Sequence, residues 1–232
     1  MPTQPEFDRY AANYEAMIGD PLRQKFARDS LFFHRRKLEL LLDELRRRGL
    51  DPSTQEWLDL GCGKGDLIRM GQAHFRRAYG CDVSPQLLNQ AAGVEVRLQD
   101  GPAGIPFSNE SLDVVSAACV YHHIAPKDRL ALTRSVHRAL RGGGLFCIFE
   151  HNPLNPVTRR IVNRCPVDGN AILLRAGESR RLLVEAGFAA GRVKYYLFLP
   201  EILYGAAGAG ERWIWWLPLG GQYAAIGRKP PR

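Results

Sequence analysis

The sequence predicts an α/β domain with a doubly wound, largely parallel sheet, and three observations carry that prediction. Glu56 to Leu60 is a short apolar-rich run that breaks into glycines at alternate positions, Gly61, Gly63 and Gly65, before the helical spacing of Leu67, Ile68 and Met70. Two further runs, Ala78 to Ser84 and Glu95 to Asp100, carry an acid at or near their ends, Asp82 and Asp100. Strand-like runs then alternate with helical patterns along the rest of the chain, as βαβ crossovers require.

In order along the chain, residues 1–22 are polar but carry Phe7, Tyr10 and Tyr14 at spacings of three and four, which suits a helical stripe docked on a core. From Arg23 to Arg48 one helix is predicted, with Leu31, Leu38, Leu42 and Leu45 on one face and Gly49 as its stop. Arg46 to Arg48 would complement its dipole. The glycine turn after the first strand permits positive φ and close backbone approach, so it reads either as a structural turn or as the cradle of a nucleotide-like ligand. Asp82 follows the first glycine by about 20 residues, where a ribose diol is met in dinucleotide-type folds. A dehydrogenase fingerprint wants G-x-G-x-x-G, but position 66 is Asp, and Asp59 inside the strand end would sit awkwardly beside a pyrophosphate.

Ser111 to Cys119 is the fourth predicted strand, and Pro126 opens a helix with Leu132, Val136 and Leu140 on one face. His122 and His123 lie between them, at a strand's carboxyl end, where α/β folds bind ligands; alternation in an extended segment would place Tyr121 and His123 on one side and His122 on the other. The fifth strand, Leu145 to Phe149, ends in Glu150-His151-Asn152. His122, His123 and His151 are the candidate catalytic bases, with His123 foremost, and Glu150 is a candidate substrate contact. No acid and histidine set at ligand spacing accompanies the pair locally, so no metal is expected. Val157 to Val162 is a short helical segment bearing Arg159 and Arg160, with Arg164 just beyond it, either a solvated face or an anion clamp for substrate. Glu178 to Ala186 is helical, and Val193 to Leu199 and Gln222 to Arg228 are the sixth and seventh strands. Between these last two, Trp213, Trp215 and Trp216 suit burial in the domain, or an apolar contact with a partner or membrane surface.

Taken as an ordered set, Asp59-Leu60-Gly61-Cys62-Gly63-Lys64-Gly65, Asp82-Val83-Ser84, Gln99-Asp100, Ile105-Pro106-Phe107, Leu112-Asp113-Val114-Val115, Tyr121-His122-His123 and Leu140-Arg141-Gly142-Gly143-Gly144 make the chain resemble the class I S-adenosylmethionine-dependent methyltransferases. The resemblance spans residues 55–190 and is closest in style to the subgroup containing quinone and small-molecule methyltransferases. It implies a Rossmann-like sheet of seven strands, six parallel and one antiparallel. It further implies S-adenosyl-L-methionine as cofactor, held along the first strand ends by Asp59, Gly61, Cys62, Gly63, Asp82, Val83, Ser84, Gln99, Asp100, Gly101 and Cys119. An N-terminal tyrosine, Tyr10 or Tyr14, would cover the methionine end.

Composition bounds the rest. The 232 residues, 45% apolar, suit one domain over 1–232, with cap helices in 1–50, a cofactor half in 55–150 and a substrate-side half in 151–232. Insertions are expected near 151–176 and 200–221. A net charge of +8 favours anionic partners without choosing among them. Cys62, Cys81, Cys119, Cys147 and Cys165 form no C-x-x-C pair, and four of them fall in or beside predicted core strands, so they read as small buried hydrophobes of a reducing, cytoplasmic protein. Met1 to Tyr10 lacks an apolar core, so no signal peptide is expected, and no apolar run is long enough to span a bilayer. The favoured function is methyl transfer to a small-molecule or lipid-associated acceptor with an anionic group. Peripheral contact with the inner face of a membrane would then run through the tryptophans. An RNA methyltransferase and a non-catalytic binding protein of the same fold are the alternatives. Nucleic acid is the weaker partner, because no basic stretch interleaves with aromatics.

Overall fold

The computed structural model describes residues 6–189 and 191–231. Its strands are β1 (Glu56–Leu60), β2 (Arg77–Asp82), β3 (Glu95–Leu98), β4 (Leu112–Ala118), β5 (Leu140–His151), β6 (Val193–Tyr196) and β7 (Gln222–Arg228). They form one sheet in the order β3-β2-β1-β4-β5-β7-β6. The pairs from β3 across to β5 are parallel, and β7 runs antiparallel to both β5 and β6, so six strands share a direction and one opposes them. The expected sheet of six parallel strands and one reversed strand is present.

Helices cover both faces. Ahead of the sheet stand α1 (Tyr14–Met17), α2 (Pro21–Phe26) and α3 (Leu31–Arg47); α4 (Asp66–Gly71) and α5 (Pro85–Leu88) follow β1 and β2. Then come α6 (Pro126–Ala139), α7 (Pro156–Val162), α8 (Ala176–Glu185), α9 (Glu201–Ala207) and α10 (Glu211–Ile214). Strand alternation sorts the core. Leu58 and Leu60 join Leu132 and Val136 of α6 and Leu183 of α8, while Trp57 on the other face joins Leu38, Leu41 and Leu45 of α3. Every residue of β1 is buried, as a central parallel strand requires.

The sequence reading differs from the structure at four boundaries. The single helix expected over Arg23–Arg48 is broken, because Ala27 is extended and Asp29 accepts a hydrogen bond from the Phe32 N–H at 2.9 Å to start α3 afresh. α2 thereby turns away from the axis of α3, and both helices contribute to the cavity described below. β5 starts five residues earlier than expected, since Gly142 to Gly144 run on as strand; a Cβ at Gly144 would stand 2.9 Å from the Asp113 carbonyl oxygen. β3 stops at Leu98 and leaves Asp100 beyond it, and β6 stops at Tyr196, because Leu197 takes a left-handed φ of 62°.

α3 is fastened to the antiparallel edge by buried ionic groups. The Lys194 ammonium of β6 donates to Glu44 Oε2 at 2.7 Å, both side chains being buried, and Arg48 bonds the other Glu44 oxygen at 2.8 Å. Glu211 of α10 accepts the Phe198 N–H at 2.7 Å and the Tyr204 hydroxyl, with Arg36 of α3 beside it. Outside this knot, Trp213 and Trp216 are 73% and 60% exposed and Trp215 is half-buried, so the tryptophans are not a core cluster. Among the described residues no helix is long and apolar enough to cross a membrane.

Candidate functional site

The carboxyl ends of β1, β2, β4 and β5 open into one cavity of about 890 Å³, covered by residues of α2, α3 and α7. The glycine turn forms its floor. The N–H groups of Gly61 and Cys62 both donate to the Cys81 carbonyl, at 2.8 and 3.0 Å, which closes the turn over β2. Gly61 has φ +69°, and a Cβ there would lie 2.4 Å from Val120 Cγ2, so this position requires glycine.

Asp82 is oriented by backbone. Its Oδ2 accepts the Gly63 N–H and its Oδ1 the Ser84 N–H, each at 2.9 Å. A carboxylate has about four lone-pair positions, so these two bonds leave it acceptor capacity for a ribose hydroxyl. Asp59 lies at the end of a buried relay in which Trp57 Nε1 donates to Ser116 Oγ at 3.0 Å and Ser116 donates to Asp59 Oδ1 at 2.7 Å. Burial pushes the Asp59 carboxyl up to about 7, against the Ser116 hydrogen bond and the Lys37 ammonium. An arriving ammonium group would ionise it. A diol acceptor, a buried acid able to meet an ammonium and an open backbone at Gly63, where an added Cβ would touch nothing, together fit S-adenosylmethionine.

Most of the residues expected at the cofactor line this cavity: Asp59, Gly61, Cys62, Gly63, Asp82, Val83, Gln99, Gly101 and Cys119. The others are placed elsewhere. Ser84 is fully buried behind Asp82, where its hydroxyl donates to Asp8 and caps α5. Asp100 is exposed and outside the lining, because β3 ends before it. Tyr10 is also outside the lining and packs edge-on to Phe7, at 6.2 Å between ring centroids. It is Phe7 that lines the cavity, 4.8 Å from the His123 ring. The Tyr14 side chain falls outside what the structure describes.

Three expectations about the acceptor side need correction. Glu150 does not face the cavity; it is fully buried, accepting the Tyr121 N–H at 2.7 Å and binding His122 Nδ1 at 2.5 Å. It therefore positions His122. Arg159, Arg160 and Arg164 are exposed and absent from the cavity wall, which α7 meets through Val157, Thr158 and Ile161 instead. Arg164 approaches Asp20 at 3.8 Å. The alternation expected at Tyr121 to His123 also fails, because the segment is a 3-10 turn and not extended chain. Tyr121 points into the core, its hydroxyl 2.9 Å from Thr133 Oγ1, while both histidines line the cavity.

Two of the histidines meet at an acid the sequence reading did not single out, and the third packs beside them. Asp168 Oδ1 lies 3.4 Å from the Nε2 atoms of both His122 and His123, and the His151 ring centroid is 5.2 Å from that of His122. Burial opposes a charge on His122, but Glu150 and Asp168 outweigh it and hold its pKa well above the ordinary value. Burial lowers that of His123 and brings His151 down to about 4. Among the described residues, His122, His123 and Asp168 are the group of acids and histidines close enough to share a metal ion.

The other unforeseen side chains are basic. Arg23, His34 and Lys37 line the cavity beside Phe26 and Phe33. Lys37 is buried, its pKa lowered by that burial, and Nζ reaches the Phe33 carbonyl only at 3.5 Å. Burial brings His34 down to about 3, and its shielded Nδ1 has no hydrogen-bond partner. A signal was available: His34 and Lys37 stand at helical spacing from Leu38, Leu41 and Leu45, and a lysine on an apolar helix face is seldom buried without a reason. Asp168 carried no such local signal.

Residues 58–148 match the methyltransferase domain family. Over 115 residues the chain is 35% identical to an uncharacterized methyltransferase of Schizosaccharomyces pombe, covering 47% of this chain and 44% of that protein. Over 105 residues it is 29% identical to one of Synechocystis sp., covering 44% and 50%. The chain thus matches about half the length of these curated relatives or less. Among solved structures, a methyltransferase of Thermotoga maritima described as a possible histamine N-methyltransferase superimposes with a TM-score of 0.68 at 18% identity, over 96% of this chain and 98% of that one. Phosphoethanolamine N-methyltransferase 2 of Haemonchus contortus, in complex with S-adenosyl-L-methionine, gives 0.57 at 19%, over 83% and 52%. At such identities the likeness is one of fold.

Proposed function

We propose that the chain is a class I S-adenosylmethionine-dependent methyltransferase and that it methylates a small acceptor bearing an anionic group. One observation carries the reading: a single cavity runs from the glycine turn and Asp82 to Arg23, His34 and Lys37, between the apolar walls of Phe26, Phe33, Val157 and Ile161. Its volume lies in the upper part of the range for small-molecule sites, about 300 to 1,000 Å³, which suits a cofactor with an acceptor beside it. Arg23 and Lys37, cations at the wall of an apolar enclosure, are stabilised by an anionic ligand, which favours a carboxylate or phosphate on the acceptor.

Bound S-adenosylmethionine supplies an electrophilic methyl on a sulfonium whose charge disappears on transfer. The chain's own work is then placement. Asp82 and Asp59 fix the ribose and amino ends, Lys37 and His34 hold the acceptor's anion, and Phe7 and Phe33 keep water from the reacting atoms. A base is needed only for an acceptor that keeps its proton until transfer.

Labelled methyl groups from S-adenosylmethionine, offered with fractionated cell extract, should enter acidic small molecules. Label in RNA would favour the alternative reading, and no label in any fraction would favour a non-catalytic binding protein. Lys37→Met should slow transfer about 10- to 100-fold, the worth of a hydrogen bond to a charged group, with cofactor affinity unchanged. A loss of cofactor affinity instead would assign Lys37 to the methionine carboxylate and remove the support for an anionic acceptor.

A lipid-linked acceptor is the second reading, favoured by the exposed side chains of Ile202, Leu203, Trp213, Trp216 and Leu219 with Arg212 over the Trp213 ring. The chain should float with anionic liposomes at low salt, and a variant with Trp213, Trp215 and Trp216 changed to serine should not. Wild type remaining in the soluble fraction at every salt concentration rules this reading out.

A further inference from the structure

We propose that His122, His123 and Asp168 form a binding site for one divalent ion of the zinc class, open to the cavity. Their ligand atoms all lie within 4.8 Å of one another. Both imidazole Nε2 atoms stand 3.4 Å from the same carboxylate oxygen. That separation is long for a hydrogen bond. Each of these two separations matches the edge of a tetrahedron whose centre lies about 2.1 Å from each corner, the usual zinc bond length to nitrogen and oxygen, and the third side, between the two imidazole nitrogens, lies within 4.8 Å.

The groups behind the site are arranged to match. His122 Nδ1 is committed to Glu150 Oε2 at 2.5 Å, which leaves Nε2 to face His123 and Asp168. That Nε2 is buried and meets Asp168 only at 3.4 Å, beyond a good hydrogen bond, and a metal would take the place of its proton there. Glu150 is itself held by the Tyr121 N–H, so a buried carboxylate fixes the ring that would bind the metal, as outer carboxylates do for zinc-bound histidines. Two imidazoles and one carboxylate make a donor set that zinc accepts with a fourth position open. His122, His123 and Asp168 all line the cavity, so that position is available to an acceptor oxygen, whose proton a metal would acidify. The site goes beyond methyl transfer, and it is tested by binding alone, so its failure would leave the reading of the cofactor site untouched.

Chelator-stripped protein titrated with zinc chloride should bind one equivalent. Cobalt chloride should give the visible absorption of a low-coordinate nitrogen and oxygen site without a thiolate charge-transfer band. His123→Ala and Asp168→Ala should each weaken binding about 100-fold or more, and Glu150→Gln about 10- to 100-fold, while S-adenosylmethionine affinity stays unchanged. His123 and Asp168 are the informative positions, because His122→Ala leaves Glu150 buried and unpaired and threatens the fold. The proposal is overturned by wild type that binds no zinc, by zinc binding undiminished in His123→Ala or Asp168→Ala, or by a cobalt spectrum that reports thiolate ligands.

Discussion

Asp82→Ala should bind S-adenosylmethionine about 10- to 100-fold more weakly than wild type, by calorimetry. Hydrogen bonds to a charged group contribute about 1.5 to 3 kcal/mol, which converts to that range. The geometry makes Asp82 the sensitive position. Its two oxygens are aimed by the N–H groups of Gly63 and Ser84, so removing the carboxylate takes away both the diol acceptor and the anchor of the glycine turn. Asp82→Asn separates these roles, since it keeps one acceptor for the turn and loses the charge; it should fall between wild type and alanine. Unchanged affinity in the alanine variant would remove Asp82 from the cofactor site.

The largest stability effect is expected at Glu44. Glu44→Ala leaves the Lys194 ammonium buried without its carboxylate, a loss of about 3 to 5 kcal/mol. For a domain of this size each kcal/mol moves the melting temperature about 2 to 4 °C, so a fall of about 6 to 20 °C is expected. The double variant Glu44→Leu with Lys194→Met should recover most of it, because apolar replacement of a buried pair is often neutral. A fall below about 3 °C in the single variant would show that Lys194 reaches water. The pH dependence has a definite sign. Burial opposes the Glu44 charge, but Lys194 and then Arg48 outweigh it and hold the carboxyl pKa below its ordinary 4.5. The stabilisation is therefore complete above that value and is lost as pH falls through the lower folded pKa.

What could be read from the sequence was whatever neighbouring residues decide among themselves. The alternate glycines, the position of Asp82 and the bounds of β7 were legible because turn geometry, strand ends and apolar alternation are local properties. The break before α3 was missed because the leucine pattern begins only at Leu31 and does not mark where its helix starts, which Asp29 sets by accepting the Phe32 N–H. Glu150 and Arg159 were assigned by residue type to the acceptor side, yet a strand's last pleat turns one inward and a helix face turns the other outward. Asp168 arrives beside His122 and His123 only through tertiary packing, and no spacing in the chain announces it.

The place of β7 has a consequence for synthesis. It lies between β5 and β6, so β6 has no partner in the sheet until residues 222–228 have emerged and threaded into the gap. Until then the outer edge of β5 is an unpaired strand, a template for association with other chains. The same late residues bring Gln222 to the cavity wall, where it lies beside His151 and Cys119. A nascent chain stalled before residue 222 therefore carries its glycine turn and Asp82 but an unfinished cavity and a sticky edge, and this stage should be the one most dependent on chaperones.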